Sequence, residues 1–281
     1  MPVPAVNLSF SACGFLGIYL LGACGAVLRH GDQLVASLRA CAGASAGALA
    51  AAVVITAPDK IQSVKEFTLR FAQDVRSQRL GAATPGYDVM HTLRDGIEEF
   101  LPSDAHSIAG DRLHISITHL KSGKNSVVSH FASREDLIQV VGSKRVQVTI
   151  MCFNTNRGVH ATFSQVLLAS CFVPLYAGIK PVEWKGETWM DGGFTDSLPV
   201  LPEGRTITVS PFAGSQDICP KHRGLLNLHV RLANMGVMLS RENVVRLQQS
   251  LFPPPEDRMI QYCKEGREDA MTFLKKGNWM Q

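Results

Sequence analysis

At 281 residues, 46% hydrophobic and 19% charged, the chain has an ordinary globular composition, which excludes a disordered or fibrous protein. A net charge of +4, with no Lys/Arg run longer than two, excludes the clustered charge of a nucleic-acid binder and leaves a weak attraction to anionic membrane surfaces. The seven cysteines include no C-x-x-C pair, which argues against a disulfide framework or a zinc site and for a reducing compartment.

Val6 to Phe10 reads as a first strand, followed by a small-residue loop and a helix through about Leu28. The apolar run from Ala12 to Leu28 has no positive charge before it, and it is too short and glycine-rich for a membrane span. It reads as buried structure. A second strand from Leu38 leads into Gly43-Ala44-Ser45-Ala46-Gly47 and an alanine-rich helix reaching about Ala57. Strand, helix, strand and helix in this order predict a parallel sheet covered by helices. Ile61, Val64, Phe67, Phe71 and Val75 recur at helical spacing, and Met90, Leu93, Ile97 and Leu101 stripe another helix ended by Pro102. Leu113, Ile115 and Ile117 alternate as a strand, with Val127 to Phe131 its expected partner. Ser133 reads as the cap of a helix with Glu135 and Asp136 in its first turn. Val182 to Met190 reads as a hairpin turning at Lys185-Gly186, and Arg205 to Ser210 as a strand. The remainder reads as charged helices broken at Pro253-Pro254-Pro255.

A serine at a sharp strand-to-helix turn is a nucleophile elbow. Such a turn brings the backbone close to its neighbours, so Gly43 and Gly47 remove the Cβ atoms that would clash. The helix behind aims its amino-terminal amides at negative charge forming beside Ser45. A serine hydroxyl needs a base, and Asp191 is the best candidate: it ends a strand, and Gly192-Gly193 let the chain turn tightly. The same Asp-Gly-Gly also reads as a plain turn. The loop around Gly14 reads as a close-packed turn whose amides can face an oxyanion, and the two readings are compatible.

Three motifs in this order resemble the patatin-like phospholipase family: the loop Ala12-Cys13-Gly14-Phe15-Leu16-Gly17, the elbow Gly43-Ala44-Ser45-Ala46-Gly47, and Asp191-Gly192-Gly193. Asn7-Leu8-Ser9-Phe10, Thr84-Pro85-Gly86-Tyr87, Ser133 to Ile138 and Ala169-Ser170-Cys171-Phe172-Val173-Pro174 extend the resemblance, in particular to a short animal member, over nearly the whole chain. It implies an α/β three-layer sandwich with a mainly parallel central sheet flanked by helices. Residues 6–204 would form the acyl hydrolase core, and residues 205–281 a C-terminal strand and helical extension packed on it. It also implies a Ser–Asp dyad, with Ser45 as nucleophile, Asp191 as general base, and Cys13, Gly14 and Phe15 holding the oxyanion. The expected activity is hydrolysis of triacylglycerol, retinyl ester or phospholipid, with acyl transfer to an alcohol beside it. No metal or organic cofactor is implied. Expected partners are lipid esters and the surface of a membrane or lipid droplet. The expected location is intracellular, cytoplasmic and peripherally attached, with mitochondria as the alternative, and not secreted.

Two departures stand out. The first glycine of the family's G-x-G-x-x-G loop is Ala12, tolerable if its φ stays negative. About 25 residues, from around Val141 to Gln165, interrupt what would otherwise be one helix. They read either as a surface excursion or as a segment that impairs activity. The rival readings are a catalytically impaired lipid-binding form and a Ser–Asp–His esterase completed by His222 or His229.

Overall fold

The computed structural model describes residues 5–131, 166–174, 176–178, 181–221 and 228–280. The expected helix cap at Ser133 and the interrupting segment 141–165 lie outside the described residues. Strand β1 (Val6–Phe10) is buried along its whole length, as a central parallel strand covered on both faces must be. After the loop, the run read as buried structure is helix α1 (Gly17–His30), with residues 17–24 all buried. A short helix α2 (Asp32–Ala36) leads to β2 (Leu38–Ala44), and helix α3 (Ala46–Thr56) follows after Ser45. Helix α3 is buried on nearly every side, which its alanines permit by presenting little bulk to the sheet and to α1.

The two predicted amphipathic stripes form α4 (Ile61–Ser77) and α5 (Val89–Phe100), the latter capped by the Asp88 carboxylate, which accepts the His91 amide. A short α6 (Ala105–Ala109) precedes β3 (Leu113–His119). The partner of β3 is β4 (Asn125–Val128), which begins and ends earlier than its valines suggested. Asn125 explains the register: its amide donates to the Ser116 and Thr195 hydroxyls, both at 2.8 Å. Helix α7 (Val166–Cys171) is followed by the expected hairpin, β5 (Val182–Trp184) and β6 (Glu187–Asp191). Its turn has positive φ at Lys185 and Gly186, the geometry of a tight two-residue hairpin loop.

Strand β7 (Arg205–Val209) returns to the sheet and pairs parallel to β1, giving the order β5-β6-β3-β2-β1-β7, with β4 also on β3. The four strands β3-β2-β1-β7 are parallel, and the antiparallel pairs gather at the β3 side. The molecule is thus an α/β fold with a mainly parallel central sheet flanked by helices. One element departs from the sequence reading: β8 (His229–Leu232) and β9 (Met235–Met238) form a separate hairpin where helix was expected. Helices α8 (Arg241–Leu251) and α9 (Glu256–Lys276) then follow on either side of the proline break. Helix α9 crosses α1 at glycine contacts, since a Cβ on Gly22 would lie 2.1 Å from the Cys263 carbonyl oxygen and one on Gly266 would lie 2.1 Å from that of Tyr19.

Candidate active site

Strand β2 ends at Ala44 and helix α3 starts at Ala46, so Ser45 alone makes the turn, with φ 54° and ψ −129°. A serine in this sparsely populated region stores on the order of 1–3 kcal/mol of strain and persists only where its surroundings enforce it. The enforcement is visible. A Cβ on Gly43 would lie 2.4 Å from the Gly47 carbonyl, and one on Gly47 would lie 2.1 Å from the Phe10 carbonyl oxygen. The Ser45 amide donates to the Ser170 hydroxyl at 2.8 Å, and that hydroxyl donates to the Ser116 carbonyl at 2.7 Å. Ser170 and Ser116 are both fully buried.

The base candidate sits at the other end of the same support. Asp191 closes β6 opposite Ile117, its amide donates to the Phe172 carbonyl at 2.8 Å, and its carbonyl accepts the Thr118 hydroxyl. Its carboxylate accepts the Gly193 amide at 2.6 Å, and the neighbouring Ser45 hydroxyl favours its charged form. Burial pushes the carboxyl up to about 7, against the pull of the Gly193 amide and the Ser45 hydroxyl. Gly192 could not be larger, because a Cβ there would lie 2.1 Å from the Ser116 carbonyl oxygen. Ser116 therefore ties both halves together, since its hydroxyl also donates to the Asp196 carbonyl at 2.9 Å.

The loop between β1 and α1 completes the arrangement. Its start is held by the Ser11 amide on the Val209 carbonyl and the Ala12 amide on the Ser197 carbonyl. Ala12 is not among the residues with positive φ, so the missing glycine costs the loop nothing there. Gly14 does have positive φ, and a Cβ on it would lie 2.1 Å from the Ser250 carbonyl oxygen. Gly14 and Phe15 open a 3₁₀ turn, where the first amides lack an intrahelical acceptor. Gly17 sits under the elbow, its Cβ position 3.1 Å from that of Ala46. Gly193 packs on Ala12 and on the Asp191 carboxylate.

Sequence reasoning missed two groups. Cys171 neighbours the Ser45 hydroxyl, and its burial together with the Asp191 charge raises its thiol well above the usual range. Ser170 acts over 125 residues of chain, a separation that no local motif signals. Replacing Ser170 by alanine leaves the Ser45 amide and the Ser116 carbonyl without this partner, at about 1–3 kcal/mol. The expected result is a thermal midpoint several degrees lower and serine-probe labelling about tenfold slower. Unchanged labelling would remove Ser170 from any positioning role.

Ser45, Asp191, Cys13 and Cys171 open onto a cavity of about 820 Å³ whose walls are almost entirely apolar. Phe15, Phe71, Phe67 and Phe100 form a chain of ring contacts along it, with centroids 5.3 to 5.7 Å apart. That is room for an acyl chain, and among the described residues its lining offers one carboxylate, Asp191. No histidine lines it among the described residues. His229 lies exposed on β8, and His222 falls outside the described residues.

Comparison with known proteins agrees with this geometry. The patatin-like phospholipase family model matches residues 8–202. Patatin-like phospholipase domain-containing protein 4 of Homo sapiens is 50% identical over 98% of this chain and 99% of its own. The mouse 1-acylglycerol-3-phosphate O-acyltransferase Pnpla3 is 33% identical over 96% of this chain and 59% of its own. The human omega-hydroxyceramide transacylase is 32% identical over 97% of this chain and 46% of its own. Against these latter two, the chain spans only about half of the relative's length. Elbow, carboxylate, loop and whole-length identity agree, and the chain belongs to the patatin-like phospholipase family of lipid ester hydrolases.

Proposed function

We propose that this protein hydrolyses neutral lipid esters through a Ser45–Asp191 dyad and also passes the acyl group to acceptor alcohols. The observation that carries the reading is the strained Ser45, set beside the buried Asp191 carboxylate where both line an apolar cavity. Asp191 takes the hydroxyl proton as Ser45 Oγ bonds to the ester carbonyl carbon. The amides of Cys13, Gly14 and Phe15 receive the charge on the carbonyl oxygen, each donor contributing roughly 10²–10³ in rate. The C–O bond then breaks, Asp191 returns its proton to the leaving alcohol, and acyl-Ser45 remains. Water or another alcohol enters with Asp191 again as base, which gives hydrolysis or transfer. The names of two relatives, an acyltransferase and a transacylase, support the transfer arm.

Triacylglycerol, retinyl ester and phospholipid are the proposed substrates, because the cavity suits long apolar chains and offers little to a polar one. We place the protein inside the cell, cytoplasmic and attached to a membrane or lipid droplet by peripheral contact; mitochondria are the alternative. No helix among the described residues is long and apolar enough to cross a membrane. The test is labelling by a fluorophosphonate probe, comparing the whole chain with Ser45→Ala and with a chain lacking residues 141–165. Labelling of the whole chain that disappears in Ser45→Ala is the expected result. Labelling only after the deletion would mean that this form is switched off, the second reading favoured by the interrupted helix.

A further inference from the structure

Helix α8 is inside out. Its buried residues are Asn243, Arg246 and Ser250, one polar stripe at helical spacing, while Val244 and Leu247 stand 60% and 57% exposed. A helix meeting water would turn this pattern round. The inward stripe is fully satisfied. The Asn243 side chain bonds the Ala213 backbone in both directions and donates to the Met238 carbonyl at 2.7 Å. Arg246 donates to the Pro211 carbonyl and pairs with Glu265 at 2.9 Å. Specific bonds therefore fix which face of α8 points outward, and that face carries Val244, Val245 and Leu247 beside Arg241, Glu242 and Gln248.

The hairpin beside it repeats the arrangement. Every residue of β8 is exposed, with Val230 at 41% and Leu232 at 57%. Val230, Leu232, Val244 and Leu247 also border the cavity that leads to Ser45. The exposed apolar surface is thus continuous with the mouth of the site. Arg231 alternates with the apolar pair along β8, and Arg241 starts α8; both are exposed. The acids nearby are Glu242, at the helix end where a negative charge is favoured, and the half-buried Asp196 against the hairpin turn. An insoluble ester must leave its aggregate to reach Ser45, and a mouth rimmed by leucine and valine lets it pass without crossing water.

We propose that hairpin β8–β9 and the outer face of α8 dock this protein on a phospholipid surface, with Arg231 favouring anionic lipid. The proposal rests on the reading of the cavity as a lipid ester site and names the surface that feeds it. The test uses the full chain carrying Ser45→Ala, so that vesicles are not consumed, in flotation with phosphatidylcholine vesicles with and without phosphatidylserine. Leu228→Asp with Val245→Asp places charge on two exposed positions that do not line the cavity. Flotation should fall about tenfold or more. With Ser45 restored, the same pair should hydrolyse a short water-soluble ester at the parent rate and melt at the parent temperature. Arg231→Glu should weaken binding to phosphatidylserine vesicles roughly thirtyfold and leave phosphatidylcholine binding unchanged. A parent chain that floats with neither vesicle, or a double variant that floats as well as its parent, overturns the proposal. Failure of the unmutated chain to cleave the soluble ester would instead strike the catalytic reading and leave the flotation result to stand alone.

Discussion

Replacing Asp191 by asparagine is expected to lower ester hydrolysis roughly 10³–10⁴-fold while making the protein more stable at pH 8. Both effects come from one group. The carboxyl ordinarily titrates at 3.8 and is held at about 7 in the folded chain. The folded state therefore keeps its proton where the unfolded state has lost it. Stability from the neutral carboxyl is complete below about pH 4 and is lost as pH rises through about 7, a penalty on the order of 4 kcal/mol. Asparagine has no proton to lose, and its oxygen can still accept the Gly193 amide. Thermal melts of parent and variant should coincide near pH 4 and separate increasingly up to pH 8, with the variant the more stable. Activity should follow the opposite course, because only the ionised carboxylate can take the Ser45 proton. The value of kcat/KM for the parent should climb through an apparent pKa near 7 and level off above it. A profile already flat at pH 5, or an asparagine variant with parental activity, would exclude Asp191 as the base.

The second large effect concerns a methyl group. Gly47→Ala would place a Cβ 2.1 Å from the Phe10 carbonyl oxygen and 2.7 Å from that of Ser11. Both neighbours are backbone, so neither can swing aside. Moving α3 away from β1 separates Ser45 from the loop around Gly14, and a misplacement of about 1 Å costs on the order of 10²-fold in rate. Overpacking should add about 3 kcal/mol of destabilisation, or roughly 6–10 °C in thermal midpoint. The control is Gly25→Ala in α1, where the nearest atom is the flexible Lys65 Nζ at 3.2 Å. That exchange should be neutral or slightly stabilising, since alanine is the better helix former. Equal damage from both would show that helix packing in general, rather than the elbow, sets the sensitivity.

The parts of the site that sequence made legible are those built from neighbours in the chain. The crowding at Gly43 comes from Gly47 and Ala48, within three residues of Ser45, and the tight turn at Gly192 follows directly from β6. What stayed hidden is either distant or unconventional. The Ser45–Ser170–Ser116 relay joins three elements far apart in sequence, and a buried serine looks like any other until its partners are placed. The hairpin β8–β9 turns at Ala233-Asn234, both with positive φ, without the glycine that normally advertises such a loop. The Ser197 amide donating to the Ala233 carbonyl at 2.8 Å holds it from outside the hairpin. Helix α8 was legible as a helix, but its polarity inverts the usual rule, and only its contacts reveal which face turns inward.

The place of β1 between β2 and β7 has a consequence for how the chain matures as it is made. A ribosome delivers the amino terminus first, so β1 and β2 can pair early while the other edge of β1 waits for Arg205–Val209. Until then that edge is open to adventitious strand pairing, the hazard that chaperones cover. The same delay governs the loop beside Ser45, whose anchors at Ser197 and Val209 arrive late in synthesis. The loop beside Ser45 is therefore anchored only after Val209 has been made, well after β1 and β2 that flank the turn at Ser45.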